Sequence, residues 1–407
     1  MMPTSSHAPA SPLRPPLRPH APLAPVLSRR SLGRSFAQAS VLDAGQVRQV
    51  TSGRIAIAMA LREMRIGAGD SVLVPAYHSL SMIPPVLACG ARPVFYKVGP
   101  DAAVDLADVA AKLAPSVKAI MVTSYFGIPQ RLEVLRAFCD SHGLLMLEDC
   151  AHCFFGAHAG RPVGSWGDYA IGSSMKFFPI YEGGCLVSAR HALAAPPARS
   201  SGKGFEAKAA LNALENAFAY GRLPLLRALL WLPLRVKDLV WGWARRRRSA
   251  GATTVAAAAL APSSSDRSVE FDPAWIDRRS SWFSRTVMAR ADQGRIVERR
   301  RANYLRLQEA LDDLAGCRAL YPQLPAGACP WLFPLWVEQP EALFERLHLA
   351  GVPMTRFAQA LWPGVDALVC ANSAALSRHV LAFPCHQELR DDELAWIIAS
   401  VQGALAA

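Results

Sequence analysis

Charge is scarce in this chain and unevenly placed. Charged residues make up 19% of 407 and apolar residues 52%, which excludes a disordered polyelectrolyte and leaves ample material for a large core. The net charge of +12 resembles a nucleic-acid footprint until it is located. Residues 1–40 hold five arginines (Arg14, Arg18, Arg29, Arg30 and Arg34) and no acid, and Arg245–Arg248 add four more. Without these nine the remainder is close to neutral, an ordinary balance for a globular body, so no nucleic-acid partner is expected. Long apolar runs are also missing: none reaches the roughly twenty residues of a membrane-spanning helix. Arg29-Arg30 looks like a twin-arginine signal, but no apolar stretch separates it from Ala37-Gln38-Ala39, so the cytoplasm is the expected location. The nine cysteines are odd in number and scattered. Cys150 and Cys153 have CxxC spacing without a second such pair, which argues for reduced thiols behind a strand over a disulfide framework or a metal site.

The Pro/Arg-rich residues 1–40 read as a disordered arm. From about 50 to 190, short apolar runs alternate with helical stretches, which predicts an α/β fold with a mostly parallel sheet. Candidate strands are Ser71–Pro75, Pro93–Val98, Lys118–Ser124, Leu144–Glu148 and Gly184–Ser188, with helices over Leu80–Cys89 and Arg131–His142. Residues 200–270 break the rhythm, and 249–265 resemble a flexible linker. Beyond them, a helix over Arg285–Leu314, a strand over Trp331–Val337 and helices around Glu341–Ala350 and Asp391–Ala404 predict a smaller α+β body. The expected division is a large domain at 41–280, interrupted at about 200–270, and a small C-terminal domain at 281–407.

The chemically informative block runs from Leu144 to Ser188. Asp149 follows an apolar run and so falls at the carboxyl end of a strand, where ligands sit in such sheets. Lys176 lies downstream, before Glu182-Gly183-Gly184 and another strand. A lysine amine that can form a Schiff base, with an acid that can keep a pyridine nitrogen protonated, suits pyridoxal phosphate. A phosphate needs donors, best supplied by a glycine-containing turn opening a helix, and Thr51-Ser52-Gly53-Arg54 before Ile55–Met64 has that form. Each element alone is weak: such a lysine is usually surface, such an aspartate often only a helix cap.

Together and in order, these residues resemble the DegT/DnrJ/EryC1/StrS family of pyridoxal-phosphate-dependent sugar aminotransferases. Also matching are Gly67-Ala68-Gly69-Asp70, Gly90-Ala91-Arg92-Pro93, Ser124-Tyr125-Phe126-Gly127, Glu148-Asp149-Cys150-Ala151-His152 and Val163-Gly164-Ser165-Trp166-Gly167-Asp168. The resemblance implies a fold-type-I transferase acting as a homodimer, with an amino-acid donor (glutamate in most of the family) and a keto-sugar acceptor, nucleotide-linked, for polysaccharide or glycoconjugate synthesis. It implies Lys176 as the Schiff-base lysine, Asp149 as the carboxylate facing the pyridine nitrogen, and His152 beside the cofactor. Gly53 and Arg54, joined by Ser173 or Ser174, take the phosphate turn. Ser284 and Arg285 become candidates for reaching the partner's phosphate, or else are a plain helix start. Arg54 stands where the family usually has Thr, and Tyr181 where it has a small residue. Ser79 takes the place of the usual stacking aromatic. Either Tyr77 or His78 then covers the ring face, or Tyr77 is core and His78 a polar loop residue.

Two matters stay open at this level. A cofactor-binding regulator or scaffold without turnover would also retain Lys176. In 223–248, Leu225, Leu229, Leu232, Val236, Leu239, Val240 and Trp243 share one helical face, with Pro233 as a kink and Arg245–Arg248 following. That face either packs on protein, including a dimer partner, or meets the inner face of the membrane peripherally.

Overall fold

The computed structural model describes residues 19–33, 36–194, 199–231, 235–236, 270–312 and 314–406. A central sheet contains β1 (Gln46–Val50), β2 (Ser71–Pro75), β3 (Arg92–Tyr96), β4 (Val117–Thr123) and β5 (Leu145–Cys150). A two-stranded hairpin follows as β6 (Ala157–His158) and β7 (Arg161–Pro162), then β8 (Tyr169–Gly172) and β9 (Gly184–Ser188). The order is β1-β9-β8-β5-β4-β2-β3. β3, β2, β4, β5 and β8 run parallel, while β9 is antiparallel to both its neighbours.

The strands read as continuous apolar runs because both sheet faces are covered. Alternation divides their side chains: Val72, Val74, Ala119 and Met121 pack with Ile55 and Met59 of the helix Gly53–Glu63. Leu73, Ile120 and Val122 pack on the other face with Leu132 and Leu135 of the helix Leu132–His142. A second, antiparallel sheet joins β10 (Cys317–Ala319), β11 (Leu332–Val337) and β12 (Val380–Pro384) in that order. Its core packs against the helices Gln293–Leu311, Pro340–Leu349 and Asp391–Ala406.

Most expected elements are present with ends shifted by one or two residues; Ser71–Pro75 and Gly184–Ser188 are unshifted. The long helix expected over Arg285–Leu314 is two, Trp282–Arg290 and Gln293–Leu311. Ala291 is extended, and Asp292 caps the second helix by accepting from Arg295 N at 2.9 Å, a break that the apolar spacing alone does not reveal. The strands β1, β6, β7, β8, β10 and β12 are not among the expected ones; β6 and β7 are two residues long, β8 four and β10 three, too short for a periodicity to show.

The expectation of a disordered arm over 1–40 is corrected for residues 19–33. Ala21 and Val26 are buried, and Ser28 and Ser31 donate to the Glu388 carboxylate at 2.6 and 3.1 Å. Pro22 and Pro25 bring no N–H to satisfy, which suits an extended strap laid on a preformed surface. Residues 1–18 lie outside the described residues. So does most of the predicted amphipathic segment: Pro224–Leu229 is helical with Leu225, Leu229 and Trp231 exposed, whereas Leu232, Pro233, Leu239, Val240, Trp243 and Arg245–Arg248 are not described. Among the described residues no helix is long and apolar enough to cross a membrane. Cys150 and Cys153 are buried free thiols whose ionisation burial pushes well up.

Candidate active site

Adjacent carboxylates at the end of β5 have different work. Glu148 is fully buried and accepts from the backbone N–H groups of Gly164, Trp166 and Gly167 at 2.7, 3.1 and 3.3 Å. It shapes the Gly164–Gly167 turn, and burial pushes its carboxyl above the usual range in spite of those donors. Asp149 is directed the opposite way by strand alternation and lines a pocket at the sheet's carboxyl edge. Its Oδ2 accepts from Thr123 Oγ1 at 3.0 Å and its Oδ1 from Ala151 N at 2.9 Å.

The opposite wall is the start of the helix Gly53–Glu63. Ser52 caps it, accepting from Ile55 N at 3.4 Å. Gly184 must lack a side chain: a Cβ there would stand 2.5 Å from the Ser52 carbonyl carbon and 2.7 Å from Gly53 N. Gly183 N donates to Thr51 O at 2.9 Å, and Gly183 O accepts from Ser174 N at 3.0 Å. One Gly-Gly turn thus ties the helix start to the turn that carries the lysine. Arg54 is buried, lines the same pocket and donates to the Glu270 carbonyl.

Lys176 ends a short turn, Ser174–Lys176, with Nζ 4.5 Å from the centre of the Trp331 ring. Trp331 stacks on His152 at 3.8 Å. Burial and the nearby Lys176 charge hold the His152 imidazole well below its ordinary pKa, so it is neutral at pH 7. Its Nδ1 has no hydrogen-bond partner among the described residues.

Gly53, Arg54, Asp149, His152, Ser173 and Lys176 therefore border one pocket, together with Ser79, Thr123 and Phe357. Three other candidates do not. Ser174 is buried behind the pocket, against the space a Gly183 side chain would fill. Tyr77 is fully buried, packed on Tyr125 and Phe357. His78 stacks on Phe95 at 5.0 Å, with Nδ1 near the carbonyls of Pro75 and Ala76 and Nε2 accepting from Trp362 N at 3.1 Å. The backbone captures this imidazole before it can reach the pocket, so neither Tyr77 nor His78 covers a ring there. Ser284 and Arg285 are engaged within their own chain, Ser284 Oγ accepting from Ser281 Oγ and Arg285 donating to the Ser280 carbonyl.

Thr123, Trp331 and Phe357 escaped sequence reasoning. Thr123 had a signal, since it closes the strand paired with β5 and sits opposite Asp149 in register. Trp331 and Phe357 had none. The assembled residues fit pyridoxal phosphate: an amine for its aldehyde and a carboxylate for its ring nitrogen. A neutral imidazole with an unpaired nitrogen and a glycine-opened helix start flanked by serine hydroxyls complete the set.

Residues 31–255 match the DegT/DnrJ/EryC1/StrS aminotransferase family. The chain is 34% identical over 142 residues to the GDP-perosamine synthase of Vibrio cholerae, covering 34% of this chain and 39% of that protein. It is 29% identical over 213 residues to the dTDP-4-dehydro-2,3,6-trideoxy-D-glucose 4-aminotransferase of Saccharopolyspora spinosa, 52% of each chain. The matches thus span about four tenths to half of these relatives' length. Among solved structures, the aminotransferase TlmJ from Streptoalloteichus hindustanus superposes with a TM-score of 0.61 at 23% identity, over 89% of this chain and 86% of that one. DesV of S. venezuelae superposes with a TM-score of 0.61 at 20% identity, over 89% and 85%. The architecture is accordingly that of fold-type-I transferases, and by its match over more than half its length the chain belongs to the DegT/DnrJ/EryC1/StrS aminotransferase family.

Proposed function

We propose that this protein is a pyridoxal-phosphate-dependent aminotransferase that moves an amino group from an amino acid, glutamate by preference, to a keto sugar carried on a nucleotide. The observation that carries this reading is the meeting of Lys176 and Asp149 at one pocket beside a helix start held open by Gly184. The relatives' names, sugar and inosose aminotransferases, support the acceptor class.

Pyridoxal phosphate, when bound, supplies the aldehyde and the electron-withdrawing ring that let an amino group pass between two carbonyl compounds. Lys176 Nζ would anchor that aldehyde and, as an amine at the same place, would carry protons to and from the substrate carbon. Asp149 keeps a proton on the ring nitrogen, and Thr123 and the Ala151 N–H hold its two oxygens in place. Ser52, Gly53, Arg54 and Ser173 take the phosphate. His152, backed by Trp331, offers a neutral ring nitrogen beside the cofactor. The reading includes a large cofactor domain at 41–280, a small domain at 281–407, a homodimer and a place in glycoconjugate synthesis. The test is transamination of a panel of UDP-, GDP- and dTDP-linked keto sugars with glutamate or glutamine as donor. Turnover of at least one acceptor, abolished by Lys176→Ala, is expected. Cofactor binding without turnover of any panel member would favour the regulator reading instead.

A further inference from the structure

A cavity of about 410 Å³ adjoins the Lys176 pocket and shares Ser79, Met175, Lys176 and Phe357 with it. Its volume is that of a site for one small molecule. Much of its remaining wall is apolar, including Leu23, Trp331 and Leu332; Thr355, Arg356 and Gln359 are its polar part, and among the described residues no carboxylate borders it. Leu23 and Ala24 belong to the N-terminal strap, and both precede residue 31, where the family match begins.

The strap is fastened on both sides of these two residues. Before them, His20 N donates to Gly351 O at 3.0 Å, the His20 ring meets Trp396 edge-on, and Ala21 is fully buried in the second sheet's core. His386 Nε2 donates to Pro22 O at 2.9 Å. After them, Ser28 and Ser31 bind Glu388, which Arg295 also engages at 2.8 Å. Leu23 and Ala24 are thus held against the cavity by anchors that do not themselves border it.

Resting on the aminotransferase reading, we propose that Leu23 and Ala24 form a specificity-determining wall of the acceptor subsite, and that the part of the acceptor meeting this wall is apolar. The acceptor must come within reach of Lys176, and this cavity opens onto that lysine. Hydroxyl groups turned toward the side chains of Leu23, Phe357 and Ala358 would lose water without gaining partners from them. A methyl or methylene carbon would be favoured there.

The test uses two amine reagents that exchange with the imine at Lys176 and bleach the yellow holoenzyme, releasing the lysine amine. Hydroxylamine is small; O-benzylhydroxylamine carries an apolar arm that needs the cavity. In the holoenzyme of Ala24→Trp, which fills the cavity, and of Leu23→Asp, which places a carboxylate in its wall, bleaching by O-benzylhydroxylamine should slow at least tenfold. Bleaching by hydroxylamine should stay within about twofold. Unchanged rates with both reagents would remove the strap from the subsite. Equal slowing with both reagents, or loss of cofactor from both variants, would show that the strap shapes the lysine pocket and not the adjoining cavity, which also overturns the proposal. A wild-type protein that never turns yellow would refute the aminotransferase reading, and the strap proposal falls with it.

Discussion

Arg300 donates to the backbone carbonyl of Lys176 at 2.9 Å, and the same guanidinium donates to the carbonyls of Pro330 and Trp331, both at 3.1 Å. The side chain is fully buried, its Nε is held by Gln387 at 2.9 Å, and it lies over the Phe177 ring. It therefore fixes the lysine turn and the residues that lead into β11 against each other, and with them the Lys176 amine beside the indole face.

Removing that guanidinium should be costly. Arg300→Met leaves buried carbonyls without their donor, and urea unfolding should show a loss of about 3–5 kcal/mol. Arg300→Lys keeps the charge but not the fork of donors, so it should recover only part of this and bind the cofactor more weakly than wild type. A variant of wild-type stability and cofactor affinity would mean that other contacts hold the lysine turn.

Gly184→Ala should damage cofactor binding although Gly184 is not itself a proposed contact residue. The added Cβ would press on the Ser52 carbonyl and Gly53 N, which are backbone and cannot swing aside. Equilibrium titration should show affinity for pyridoxal phosphate lowered at least tenfold, with the phosphate turn displaced. Unaltered affinity would place the phosphate elsewhere.

Asp149→Asn should retain the cofactor yet transaminate at least a hundredfold more slowly. The amide can still be held by Thr123 and can hydrogen-bond to the ring, but it cannot stabilise a protonated ring nitrogen. Steady-state kinetics with the best acceptor of the panel checks this. Near-normal kcat would assign the role of electron-sink partner to another group.

His78 gives a pH dependence whose sign is fixed by burial. Its pKa falls from 6.5 to about 4. Below 6.5 the unfolded chain takes up a proton that the folded imidazole refuses, so its contribution is level above that pH and is lost progressively toward 4. Between pH 7.5 and 5.0 the wild type should lose about 2 kcal/mol relative to His78→Gln. Parallel pH profiles of unfolding free energy for the two proteins would contradict this.

The parts of the site that sequence reveals are those the sheet itself places. Asp149 and the start of the helix Gly53–Glu63 meet because parallel strands deliver their carboxyl ends to one edge, and the order of motifs follows the order of those strands. Lys176 follows because the Gly183-Gly184 turn ties it to Thr51. Side chains that arrive by packing from elsewhere leave no such trace. Trp331 and Phe357 come from the second body, and Leu23 from a segment whose proline-rich composition reads as disorder until the surface that receives it is known. His78 shows the converse: its position in the chain suits a stacking role, but nearby carbonyls and the Trp362 N–H bind it first.

The central claim is that Lys176 carries the cofactor. Protein incubated with pyridoxal phosphate, reduced with borohydride and digested should yield one peptide bearing the pyridoxyl group, the one containing Lys176, and Lys176→Ala should yield none. The label on another lysine, or no label on the wild type, would contradict the account.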